Sequence, residues 1–287
     1  MERPAGRRQG LRGRLPGDQL SRDQAAWLVA FVFAAGLGAI IGSFLNVVVW
    51  RVPRGESVVS PPSACPRCGH RIRAYDNVPL LSWLVLRGRC RDCGVPISGR
   101  YPLVELATSV LFVLVLWRFA DDLTLAALPA YWYLAAIGLA LSLIDLDTHR
   151  LPDAIVLPSY PVLAVLLAVA SWALGDFWLL ARAAAGGAVL LALYLTLRVL
   201  RPGGMGLGDV KLAGVLGAGL AWLGWGSLAV GGFAAFVVGG VFALGLVAAG
   251  KAHGKSRVPF GPWMVLGAAI GVAWGESLWA AYLGLAF

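Results

Sequence analysis

Two aspartates stand where long apolar runs meet polar chain. Asp145 follows the 22 uncharged residues Leu123–Ile144, within LSLIDLDTHRLPD at 141–153. Asp209 lies in GMGLGDVKL at 204–212, behind Gly203, Gly204, Gly206 and Gly208. Ionisable groups in or beside such runs are costly to keep there and usually serve function. If the two runs bring their acids to one depth, the pair suits aspartyl hydrolysis. One carboxylate, ionised, activates water; the other, protonated, polarises the scissile carbonyl, because two close like charges cannot both ionise cheaply. Alone, Asp209 reads equally well as a helix N-cap. Its glycines predict positive-φ backbone and close approach to another chain. A rival reading makes the acids part of a proton- or cation-coupled transporter. Against it, both acids sit at one face rather than the midplane, and the two halves show no inverted repeat.

A second constellation is thiol-based. CPRCG (Cys65, Cys68) and CRDCG (Cys90, Cys93) are C-x-x-C pairs with 21 residues between them, close to zinc-ribbon spacing. Two intervening residues let both thiolates of a pair converge on one ion, and Gly69 and Gly94 ease the turn that follows. Four thiolates close a tetrahedral shell and leave no open position, so a bound zinc would be structural. Disulfides and a redox pair compete with this reading. The first is disfavoured in a reducing cytosol, and the second needs only one pair. His70 reads as a loop residue rather than a ligand. A transporter gives no reason for such a loop.

The elements that hold these groups are membrane spans. Of the 287 residues, 59% are hydrophobic and 14% charged, well short of the roughly 25% charge of a soluble domain. Gln24–Trp50, Leu123–Ile144 and Ala154–Gly175 lack Asp, Glu, Lys and Arg altogether, and Phe177–Leu197 is broken only by Arg182. Pro102–Trp117 and Val258–Leu283 are further runs, and the 39 uncharged residues Leu212–Gly250 suit a hairpin of two helices. A span takes about 20 apolar residues. The chain is therefore expected to be an all-α polytopic membrane protein of about eight transmembrane helices, with one cytosolic zinc-binding loop after the first. Its expected divisions are an Arg-rich tail (1–25), a first span (26–50), the tetracysteine domain (51–101) and a seven-span membrane domain (102–287).

Orientation follows the cations. Residues 51–101 carry nine arginines, and the loops after spans 3, 5 and 7 raise that side to 16 of the 24 basic residues. These loops are expected in the cytoplasm, with both termini outside. The six arginines of 1–25 run against this, but the heavier loop is expected to dominate. The first apolar run exceeds a signal-peptide core and lacks a clear cleavage site. The net charge of +9 lies at membrane edges, where it meets anionic headgroups; without a separate basic and aromatic platform, no nucleic-acid partner is expected. Asp121, Asp122, Asp176 and Glu276 read as incidental loop and helix-end acids.

Five stretches in order resemble the bacterial type IV prepilin peptidases (leader peptidase/N-methyltransferases). They are GSFLNVVVWRVPRG at 42–55, the cysteine segment at 65–108, IDLDTHRLPD at 144–153, GMGLGDVKL at 204–212 and PFGPWM at 259–264. The resemblance implies Asp145 and Asp209 as the catalytic pair. Asp147, Asp153, Gly206, Gly208 and Lys211 support them. It implies cleavage of short basic leaders from type IV prepilins or pseudopilins at the cytoplasmic face of the bacterial inner membrane, serving pili or type II secretion. N-methylation with S-adenosylmethionine would follow. Ala74 and Leu207 depart from aromatic positions of the family, and residues 1–25 carry nothing over. No G-x-G-x-x-G motif marks a methyl-donor site; YDNVPLLSW at 75–83 is the place to look for one. A basic leader is expected to avoid the nine-arginine loop and face headgroups or Asp147, Asp153 and Glu105. The apolar segment behind it would then lie against the Gly- and Ala-rich spans.

Overall fold

The computed structural model describes residues 16–120, 123–250 and 259–286, so the Arg-rich residues 1–15 lie outside the description. The described residues form nine α-helices with short 3-10 turns: α1 Pro16–Arg51, α2 Leu81–Val85, α3 Arg100–Phe119, α4 Leu128–Thr148, α5 Asp153–Leu174, α6 Trp178–Leu200, α7 Leu207–Leu223, α8 Trp225–Ala248 and α9 Gly261–Ala286. Uninterrupted apolar sequence drives this choice, because a helix satisfies all its backbone groups internally where no water can. Seven helices are long and apolar enough to cross a membrane: α1, α3, α4, α5, α6, α8 and α9. The eighth, α7, has only 17 residues, about 25 Å at the helical rise, near the lower limit for a span. It begins at Leu207, with Asp209 and Lys211 in its first turns. The helix α1 likewise starts at Pro16, inside the segment read as tail.

Successive spans run up and down, and the closest pairs are α1 with α3, α6 with α7 and α8 with α9. Small residues permit these approaches. A Cβ on Gly38 or Gly42 of α1 would lie 2.6 and 2.7 Å from the Cα atoms of Ser109 and Glu105 in α3. A Cβ on Gly217 of α7 would stand 2.7 Å from the Gly186 carbonyl of α6.

The α7 helix is enclosed by the others, with Leu212, Ala213, Val215, Leu220, Ala221 and Trp222 at 2% exposure or less. Its neighbours bond its carbonyls. The Tyr160 hydroxyl donates to Lys211 O and the Tyr131 hydroxyl to Gly219 O, each at 2.7 Å. At its far end, the Arg182 guanidinium donates to the carbonyls of Ala221, Trp222 and Leu223 at 2.6–3.0 Å. A helix leaves its last carbonyls unpaired, so Arg182 completes the terminus. One residue on, the Glu276 carboxylate accepts the Ser227 N–H at 2.8 Å at the start of α8. Glu276 is not the incidental helix-end acid of the sequence reading: with Arg182 it closes the turn between α7 and α8.

Candidate functional site

The opposite end of the bundle gathers both aspartates. Asp145 occupies the last turn of α4, 5% exposed, and its Oδ2 accepts the backbone N–H of Gly261 at 2.9 Å. Gly261 is the first residue of α9, so the carboxylate faces the positive end of that helix. Asp209 is the third residue of α7, and its Oδ2 accepts the N–H of Gly206 at 2.9 Å. Gly206 is the N-cap residue. The N-cap alternative therefore holds in modified form: the carboxylate reaches back to the cap position instead of occupying it. Each acid uses one oxygen on a glycine amide; among the described residues, the other oxygen of each accepts no hydrogen bond.

A residue without titratable chemistry connects them. The chain leaves α4 through His149, in the left-handed region at φ 52°, and reaches Leu151. A Cβ on Gly208 would lie 2.7 Å from the Leu151 Cβ, and one on Gly261 would lie 3.3 Å from its Cδ2 and 2.9 Å from the Asp145 carboxylate. Leu151 thus fits between the starts of α7 and α9, which carry the amides that hold the two acids. Only its place in IDLDTHRLPD marks it in the sequence. Gly261 is marked only through PFGPWM.

The glycines before Asp209 need correction. Of Gly203, Gly204, Gly206 and Gly208, only Gly203 has a positive φ, at 86°. Gly206 is extended, at φ −73° and ψ 152°. The close approach expected at Gly208 is real, but its partner is Leu151 of the same chain.

The supporting charges are paired with one another. Arg100, at the start of α3, binds Asp147 at 2.6 Å, and Lys211 Nζ contacts both oxygens of Asp153 at 2.8 Å. The buried Glu105 accepts the Leu80 N–H at 2.7 Å. These three acids, expected with the headgroups to meet a basic leader, also tie α4 to α3, α5 to α7, and the polar loop to α3.

Within the loop, each C-x-x-C-G segment folds the same way. Gly69 and Gly94 adopt φ of 72° and 70°, and their N–H groups bond the carbonyls of Cys65 and Cys90 at 2.9 Å. Cys65 N–H and Cys90 N–H bond His70 O and Val95 O, so His70 contributes its backbone and stays exposed. The four Sγ atoms lie within 4.8 Å of one another, and Cys65 Sγ stands 3.8 Å from Cys93 Sγ. Zinc–sulfur bonds of about 2.3 Å give tetrahedral edges of about 3.8 Å. The thiols are free. The four cysteines fit a metal ion. Beside the cluster, hydrogen bonds from Arg91 hold the Asp76 carboxyl below its ordinary range.

Two family models match the chain: the bacterial peptidase A24 N-terminal domain over residues 37–119 and the type IV leader peptidase family over residues 132–244. The chain is 41% identical over 285 residues to the prepilin leader peptidase/N-methyltransferase of Aeromonas hydrophila, covering 90% of this chain and 94% of that one. It is 38% identical over 286 residues to the protein of that name from Stutzerimonas stutzeri, with 89% and 94% covered. It is 44% identical over 193 residues to the one from Myxococcus xanthus, with 67% and 56% covered. No solved structure matches significantly. The transporter alternative gains no support from these likenesses.

Proposed function

The chain belongs to the type IV leader peptidase family, and on that premise we propose that it is a prepilin leader peptidase/N-methyltransferase of the bacterial inner membrane. Its substrates are type IV prepilins or pseudopilins, cut at the cytoplasmic face, the side that bears 16 of the 24 basic residues. One observation carries the reading: Asp145 and Asp209 come from separate helices to one end of the bundle, each held through a single oxygen by a glycine N–H.

That arrangement leaves one oxygen of each carboxylate for chemistry. The pair shares a proton. The ionised partner takes a proton from the attacking water while the protonated partner donates to the scissile carbonyl, and the roles reverse as the leaving amine is protonated. The amides of Gly206 and Gly261 fix both groups before substrate arrives, so little reorganisation accompanies the reaction. Asp147, Asp153 and Lys211 act one step removed: their ion pairs hold α3, α4, α5 and α7 in register around the dyad.

The tetracysteine loop, 51–101, forms a cytosolic domain whose metal is zinc, and 102–287 forms the membrane peptidase domain. Zinc bound by Cys65, Cys68, Cys90 and Cys93 supplies a closed thiolate shell that stabilises the loop. S-adenosylmethionine is the methyl donor, a reading supported by kinship alone. The YDNVPLLSW segment, through Tyr75, Asp76, Val78, Leu81 and Ser82, lines a cleft of about 170 Å³ together with Arg91. That is below the roughly 300–1,000 Å³ usual for such ligands. Incubation of the purified protein with a prepilin and methyl-labelled S-adenosylmethionine tests both activities. A shortened, labelled product supports the reading, and an uncut prepilin refutes it.

A further inference from the structure

The polar loop presents one apolar face that none of the other described residues covers. Val78, Leu81, Leu84 and Val85 are 42%, 61%, 63% and 75% exposed. Positions 81, 84 and 85 follow helical i, i+3, i+4 spacing on α2, so they share a side. The opposite side of α2 is occupied: Trp83 donates its indole N–H to Ile97 O at 3.2 Å and packs on Gly88. On a protein surface in water, an exposed apolar stripe like this marks an interaction site.

Its depth says what meets it. The bilayer interface is marked by Trp50 at the end of α1 and Tyr101 at the start of α3, 57% and 48% exposed, a typical placement for amphipathic rings. Arg54 stacks over Trp50 at 3.6 Å, and Asn46 of α1 donates to Tyr101 O at 3.1 Å, which sets Tyr101 about one helical turn, roughly 6 Å, below Trp50. Gly42 abuts Glu105, so this contact lies about 12 Å below Trp50 along α1 and about 6 Å below Tyr101 along α3. The Leu80 amide, directly before α2, reaches that buried carboxylate at 2.7 Å. Because a helical side chain leans toward the N-terminal turn, that carboxylate reaches back toward the level of Tyr101, and the loop is held at the aromatic level just where its apolar stripe begins. Exposed Arg87 and Arg89 follow α2, suited to lipid phosphates.

We propose that residues 78–85 dock on the lipid bilayer. The face of Val78, Leu81, Leu84 and Val85 enters the boundary between headgroups and acyl chains, and the Leu80–Glu105 hydrogen bond holds it at that depth. The metal loop is then a membrane-seated module rather than a domain hanging free in the cytosol.

The test uses the full-length protein with its four cysteines intact. A genetically encoded environment-sensitive fluorescent amino acid replaces Leu84. The protein is reconstituted in phosphatidylethanolamine–phosphatidylglycerol vesicles with or without acyl-chain-brominated phosphatidylglycerol. The same probe at Leu103, exposed on α3, and at Arg71, exposed on the loop, sets the two limits. The proposal expects the Leu84 probe to lose fluorescence to brominated lipid as the Leu103 probe does. Quenching no greater than at Arg71 overturns it. So does shielding that appears only on adding a prepilin, or only at high protein density, which assigns the face to substrate or to a second copy. Val85 carries the probe if the Leu84 variant does not fold.

Discussion

Asp145 at the end of α4 accepts the N–H of Gly261, the first residue of α9, across 116 positions of sequence at 2.9 Å. The bond ties the position of one acid to the start of the last helix, and Leu151 links that start to Gly208, next to the other acid. The geometry of the pair therefore rests on close packing at two glycines.

Alanine at position 208 should disturb that packing. Its Cβ would lie 2.7 Å from the Leu151 Cβ and 3.2 Å from the Leu151 carbonyl, an overpacking cost of about 1–3 kcal/mol. A shift of about 1 Å in the dyad lowers cleavage by about 10²-fold. Gly245→Ala, where no atom lies within 4 Å, is the control. Rates of prepilin cleavage for the two variants check this; equal rates would remove Gly208 from the positioning of Asp209.

Metal should be bound by the cysteine loop and matter for folding more than for chemistry. The purified protein is expected to carry one zinc, lost when Cys65, Cys68, Cys90 or Cys93 becomes Ser. Because protons compete with metal for thiolates, retention should fall as pH falls. Elemental analysis checks the content, and limited proteolysis should find residues 51–101 more labile without metal. Absence of zinc, or disulfides in freshly isolated protein, would contradict it.

Removing the Arg182 side chain should weaken the bundle at its other end. Arg182→Met leaves three α7 carbonyls without their charged donor, at an expected cost of about 2–5 kcal/mol. Thermal unfolding in detergent checks it, and Arg182→Lys should recover part of the loss. An unchanged melting temperature would mean that other donors serve these carbonyls.

Much of this architecture is legible in the sequence because membrane insertion leaves few options. Uncharged runs announce the spans, and an acid at the end of such a run, like Asp145 or Asp209, stands out. The cysteine spacing and the glycine after each pair announce the metal knuckles. Partners are harder to read. Arg182 and Glu276 are visible as charges, but only the packed bundle shows which helix ends they satisfy. Asp147 and Asp153 read as open acids until Arg100 and Lys211 are seen beside them. Leu151 has no polar atom in its side chain, and its role comes from shape alone. Glycine is ambiguous for a related reason: it serves positive φ at Gly203 and close approach at Gly208, and the sequence writes both alike.

Cleavage should depend on pH as a shared-proton dyad requires. The rate should form a bell, falling in acid when both carboxylates are protonated and in alkali when both are ionised. The two apparent pKa values belong to the pair. Initial rates across pH, with zinc content verified at each point, check this. A single sigmoid would indicate one working carboxylate.

The most direct measurement of the central claim is leader removal by Asp145→Asn and Asp209→Asn, each purified in detergent and assayed by mass spectrometry on one prepilin. Asn keeps the size of the side chain, and its oxygen can still accept the Gly261 or Gly206 amide, but it cannot exchange the dyad's proton. The account predicts that each variant inserts, keeps its metal and cleaves slower by roughly 10³-fold or more. Cleavage at the parent rate by either variant would contradict a two-aspartate mechanism.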